Sequence, residues 1–129
     1  MNLSAIILSI ASLTQPVERA NLINAIAQVE SNGRSDAIGD GGKAVGILQI
    51  HPITVEDANR ILKRKAFKLE DRYSVEKSIE IFYTITNHYT PDWNPEKVAR
   101  KWNGGPKGDQ KVTTIGYWNK VNKVLSEKD

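Results

Sequence analysis

Val17–Gly33 reads VERANLINAIAQVESNG, and the period of its apolar residues decides the fold. Ile23, Ile26, Ala27 and Glu30 fall at i, i+3, i+4 and i+7, the spacing of a single helix face. Pro16 suits a first helical turn, where its missing N–H is not needed, and Gly33 stands where a glycine ends a helix. The last turn therefore sets a carboxylate, Glu30, on an apolar stripe. A carboxylate there costs several kcal/mol unless it is paired, rotated into water or kept protonated. The first outcomes are structural: a salt bridge to a core-edge Lys or Arg, or a solvated side chain. The last is the state a general acid needs, and the negative end of the helix dipole pushes the same way.

Upstream, Leu3–Leu13 (LSAIILSIASL) is apolar, long enough for the core of a signal segment and too short to span a bilayer. It carries no Lys or Arg, so residues 1–15 are read as a first helix packed on the core, with a signal-like segment as the other reading. Downstream, SDAIGDGGKAVGILQI holds four glycines between Gly39 and Gly46, then an apolar run, which predicts a glycine-bent hairpin or loop entering the interior. Thr54 with Asp57 forms a capping-box pattern for a helix to about Leu62. Ser74 caps a helix with Ile79, Phe82, Tyr83 and Tyr89 inward. Asn94-Pro95 opens another, closed by Gly104-Gly105-Pro106, and a last helix from about Thr114 carries Tyr117, Trp118, Val121, Val124 and Leu125 as a stripe. Many helices with one small hairpin predict a mainly α, α+β single domain over residues 1–129.

The 129 residues, 40% hydrophobic and 26% charged, suffice for one core. With no cysteine, disulfide scaffolds, thiolate metal sites and thiol nucleophiles are excluded. His51 and His88 lie far apart in sequence, and Asp36 with Asp40 lack the EF-hand spacing, so neither a metal nor a cofactor is expected. The net charge of +3 is uneven: residues 97–129 hold eight basic and three acidic side chains. Such a third suits a polyanion or is simply a solvated helix face. A nucleic-acid module is the weaker reading, because no recognition motif accompanies the charge.

Four segments in order carry a resemblance: Glu30-Ser31-Asn32-Gly33, Ala44-Val45-Gly46-Ile47-Leu48-Gln49-Ile50, Ala99-Arg100-Lys101-Trp102-Asn103-Gly104-Gly105-Pro106, and Thr114-Ile115-Gly116-Tyr117 with Lys120-Val121. From about Asn21 to Val121 the chain resembles the soluble lytic transglycosylase (SLT) family of the lysozyme-like superfamily. The resemblance implies a lysozyme-like fold with the hairpin beside a cleft, and Glu30 as the single catalytic acid. It implies that Ser31, in the acid's motif, is a substrate-binding residue, that Gln49 hydrogen-bonds the sugar and that Ile50 walls the groove. Asn103 would hold the loop facing the acid, and Tyr117 would lie near the reacting ring. For Gln49, an amide bonded to local backbone is the competing reading. Trp102 stands where the family commonly has Tyr, so a phenol is lost there while a stacking wall or a core aromatic is kept. His51 stands where Met is usual and is either a titrating neighbour of the site or a structural residue. Gly39-Asp40-Gly41-Gly42 is similar instead to goose-type lysozymes, which makes Asp40 a candidate second carboxylate and Asp36 a weaker one. Turn-capping is the alternative for both.

The resemblance implies cleavage of the β-1,4 bond between N-acetylmuramic acid and N-acetylglucosamine in peptidoglycan, by the non-hydrolytic route that leaves a 1,6-anhydro ring. A goose-type hydrolase using Glu30 and Asp40 is the alternative within that class. Outside it stands a non-catalytic wall-binding or virion-structural module. The expected partner is the glycan strand, met by a monomer without stable membrane insertion. The expected place is the periplasm or cell wall, reached by export, phage release or a virion.

Overall fold

The computed structural model describes the backbone of residues 3–127 and the side chains of residues 17–127. It consists of α1 (Leu3–Ser31), a two-stranded antiparallel hairpin of β1 (Ile38–Gly39) and β2 (Ala44–Val45), then α2 (Pro52–Leu62), α3 (Val75–Tyr89), α4 (Pro95–Gly104) and α5 (Ile115–Glu127), with short 3-10 turns between them. The hairpin register pairs Ile38 with Val45 and Gly39 with Ala44, and Val45 bridges onward to Ile50. This is the mainly α, lysozyme-like α+β arrangement expected of the sequence.

The apolar stripe of α1 is buried as its period requires. Leu22, Ile23, Ala25, Ile26 and Ala27 are interior and meet Leu48 and Ile50 beyond the hairpin, Ala58 of α2, Ile81 and Phe82 of α3, Ala99 of α4 and Val121 of α5. Phe82 is fully buried, with the Trp102 ring 4.6 Å and the Trp93 ring 6.0 Å from its own, both tilted as aromatic pairs prefer. α1 ends where predicted: Asn32 and Gly33 turn left-handed at φ 56° and 76°, and the Gly33 N–H reaches back to the carbonyl of Ala27. Ser74 and Asn94 cap their helices by accepting from the N–H groups of Lys77 and Lys97, each at 3.1 Å.

Two boundaries differ from expectation. α1 passes through Pro16 without a break, so the two helices expected on either side of it are one. An interior proline keeps a helical φ but removes one ladder hydrogen bond and crowds the carbonyl four residues back, a cost of about 3 kcal/mol that this helix bears. The packing of residues 1–15 on the core lies outside the described side chains. α2 starts at Pro52 with His51 as its N-cap, so Thr54 is already inside the helix. Asp57 caps nothing there; it accepts from Arg60 and, at 2.7 Å, from the Tyr89 hydroxyl of α3.

Arg72 ties the hairpin to the helices. This buried guanidinium donates to the carbonyls of Lys43 and Ile50 at 2.9 and 3.0 Å and to that of Leu69 at 2.9 Å. Its own carbonyl stands 1.8 Å from where a Cβ on Gly46 would be, and Gly46 has φ 87°, so only glycine fits there.

Candidate active site

α1 and α5 pack together, and that contact brings Glu30 to Tyr117, 87 residues later. The phenol donates to Glu30 Oε2 at 3.0 Å. Two effects then compete for the carboxyl. Withdrawal from water raises its pKa and the phenol's hydrogen bond lowers it; burial wins, and the value moves from 4.5 to about 7. Near neutral pH the group is therefore divided between acid and base forms. Tyr117 is pushed well above its ordinary value by its own burial and then by the adjacent carboxylate, so it remains a phenol donor.

Glu30 opens on a cleft of about 200 Å³. Asn103, exposed in the last turn of α4, and Trp102 line one side. Asp40, Ala44, Gln49, Ile50 and His51 form the side built from the hairpin and its exit. Ile50 is buried and contributes apolar wall. The Trp102 indole N–H donates to the carbonyl of Leu48 at 3.2 Å while its ring lies on Phe82, so it both lines the cleft and belongs to the core. Gln49 does two things as well. Its amide N–H groups hold the carbonyls of Ala37 and Gly46 at 3.1 and 3.0 Å, and its Oε1 occupies the space left by the missing side chain of Gly39. The structural reading of this amide thus holds for its nitrogen.

Ser31 is interior rather than on the cleft. Its hydroxyl lies 2.7 Å from the carbonyl of Ile47 and 3.1 Å from that of Ala27, stapling the end of α1 to the segment after the hairpin. Asp36 is exposed and outside the cleft lining. Asp40 is in it, at φ 50°, with His51 Nε2 3.3 Å from its Oδ2. Thr54, in the first turn of α2, completes the wall. Its capping pattern had suggested a different duty, and no sequence signal marked it as a cleft residue. Nor did any signal point to Arg72, whose carbonyl partners are invisible in a linear chain.

A larger groove of about 500 Å³ continues past Thr54 and Trp102, between α2, α3 and α4, lined by the exposed Ile53 and by Ile85 and Val98. The two hollows are thus joined at Thr54 and Trp102, with the perturbed carboxyl in the smaller one.

A mainly helical domain with an acid of raised pKa at a helix end, facing a small hairpin across a cleft, defines the lysozyme-like class of glycan-cleaving domains. The sequence pattern of the transglycosylase SLT domain matches residues 8–124, and the chain belongs to that family, whose domain is that of murein-cleaving enzymes of transglycosylase and lysozyme type. A lysozyme from Meretrix lusoria is 55% identical over 29 residues, 22% of this chain. That match spans 24% of the relative's length.

Proposed function

We propose that the chain cleaves the β-1,4 bond between N-acetylmuramic acid and N-acetylglucosamine of peptidoglycan strands, leaving a 1,6-anhydromuramic end. The observation that carries this reading is the Glu30 carboxyl, held at a pKa of about 7 beside Tyr117. A group serving as acid and then as base works best with its pKa near the operating pH. Protonated Glu30 gives its proton to the glycosidic oxygen as an oxocarbenium-like state develops and the bond breaks. The substrate's acetamido group stabilises that state. Glu30, now a carboxylate, takes the proton of the muramic C6 hydroxyl, whose oxygen closes on C1. Proton and bond counts balance without water.

Around this step, Tyr117 fixes the carboxyl, Asn103 and the Gln49 Oε1 address sugar polar groups, and Ile50 and Trp102 give an apolar wall. The partner is the glycan strand, met by a single copy of the chain. The place of action is the periplasm or cell wall. Among the described residues, no helix is long and apolar enough to cross a membrane.

A second reading is hydrolysis in the manner suggested by the goose-type pattern, with Asp40 directing a water. The presence of Asp40 in the same cleft as Glu30 favours it. Mass analysis of fragments released from purified peptidoglycan tests both. Anhydro ends, lighter by one water, support the first reading, and reducing ends alone support the second. Binding without fragment release would make the chain a wall-binding module.

A further inference from the structure

The larger groove holds a cation that no carboxylate answers. Its charged side chains are Glu56, Asp57 and Arg60 from α2 and Lys101 from α4. Asp57 and Arg60 neutralise each other at 2.6 Å, and the Tyr89 hydroxyl donates to the other Asp57 oxygen. Lys101 is half-buried, and its ammonium donates to the carbonyl of Tyr89, the last residue of α3, at 2.8 Å. That contact caps a helix end and uses one of three N–H donors. Among the described residues, no carboxylate pairs with this ammonium. Ile53, Ile85, Val98 and Trp102 line the same groove, so the cation faces an apolar wall, where an anion of the ligand would be its natural partner. At about 500 Å³ the groove has the size of a small-ligand site. From Thr54 to Arg60 it follows α2 for about 9 Å, the span of about three residues of extended peptide. The sugar backbone of peptidoglycan is uncharged there, because the muramic carboxyl is tied up in an amide. The peptide branch on that carboxyl is not: it carries small apolar side chains, free carboxylates and the amine of a diamino acid.

We propose that the groove between α2, α3 and α4 binds the peptide branch of peptidoglycan, with Lys101 holding one of its carboxylates. The inference rests on the small cleft being the place where the glycan bond is cut. The branch leaves the muramic ring whose C1 reacts, so its site must adjoin that cleft. This groove does so, at Thr54 and Trp102. The small side chains of the branch lie against Ile53, Ile85 and Val98, a carboxylate meets Lys101, and Glu56 offers an anion to the amine. The contact adds no step to the chemistry. Its binding energy, made away from the reacting atoms, favours strands that keep their peptides over strands that have lost them.

The test compares cleavage of glycan strands that bear their peptides with cleavage of the same strands stripped by an amidase. In the wild-type chain kcat/KM is about tenfold higher for the peptide-bearing strands, the effect of one charge-assisted hydrogen bond. Lys101→Met removes that advantage through KM and leaves the stripped strands cleaved as before, whereas Lys101→Arg keeps most of it. Ile53→Glu removes it too, by setting an anion against the ligand's carboxylate. Ile53 is exposed in the first turn of α2, where a carboxylate favours the helix, so this second variant folds. Equal kcat/KM on the two substrates in the wild type overturns the proposal. A Lys101→Met loss that falls on both substrates alike also overturns it, and makes Lys101 a helix cap alone. Failure of the underlying reading looks different. In an NMR titration, free stem peptide binds the wild type and Glu30→Gln equally and Lys101→Met about tenfold more weakly, and this pattern persists even where neither kind of strand is cut.

Discussion

The two sides of the cleft are made by different physics. The Glu30 side is helical and works by exclusion of water: α1 and α5 close on a carboxyl and a phenol, and burial outweighs the hydrogen bond between them. The hairpin side is almost without periodic structure. It is shaped by left-handed residues at Asp40, Gly41, Gly42, Gly46 and Gln49, and held by side chains that donate to backbone carbonyls, Arg72 and Gln49 above all. One side tunes a proton and the other holds a shape. Substitutions therefore separate the two, since damage to the first changes chemistry with the fold intact and damage to the second changes the fold first.

The largest effect is expected from Glu30→Gln. Loss of a general acid lowers turnover of peptidoglycan by roughly 10²–10⁴-fold. The same substitution stabilises the protein above neutral pH. The folded pKa, about 7, lies above the ordinary 4.5, so ionising Glu30 costs stability progressively as pH rises through that window. Relative to the parent, the variant gains at most about 3 kcal/mol at pH 8 and nothing from this source at pH 4. Urea melts at the two pH values measure the difference, and equal gains at both would mean that Glu30 is not held above its ordinary pKa.

On the hairpin side, Gly46→Ala forces a Cβ into the Arg72 carbonyl at a left-handed φ. We expect a loss of about 3 kcal/mol or more, read as a lower melting temperature, with the pH dependence of stability kept. Gln49→Ala leaves the carbonyls of Ala37 and Gly46 without their donor and costs about 1–3 kcal/mol. A variant as stable as the parent would mean that the Gln49 nitrogen braces nothing and would leave the residue only the sugar contact proposed for its Oε1.

Tyr117→Phe is the mildest. The phenol is what lowers the Glu30 pKa, so its removal moves that pKa further up. We expect the alkaline limb of kcat/KM to fall about tenfold per pH unit beyond about 7 in the parent and to lie at higher pH in the variant, with turnover lower by about fivefold. An unshifted limb would separate the phenol from the acid.

The same contrast explains what could be read from the chain beforehand. The helical side was legible because it follows a period and a few caps: Ile23, Ile26 and Ala27 put Glu30 on the apolar stripe, though the period left open whether it was paired, solvated or protonated, and Ser74 and Asn94 announced their helices. Its partner was less legible. Tyr117 was expected near the reacting sugar, and the hydrogen bond to Glu30 depends on the α1–α5 packing, which no local pattern encodes. The hairpin side was legible as a turn, from its glycines, but not as an arrangement. Arg72 has no carboxylate to betray it and pairs only with carbonyls, which every residue owns. Thr54 and Asp57 matched a capping box by spacing, yet Pro52 already offered a first-turn position, and Asp57 was taken by Arg60 and Tyr89.

Trp102 joins the surface to the interior. Its indole is the shared post between the small cleft and the larger groove, and it is fastened at two points, to the Leu48 carbonyl and against Phe82 in the core. The partition between the two hollows is therefore a piece of the core that reaches the surface, and cutting it back would hollow the interior in the same stroke that merged them.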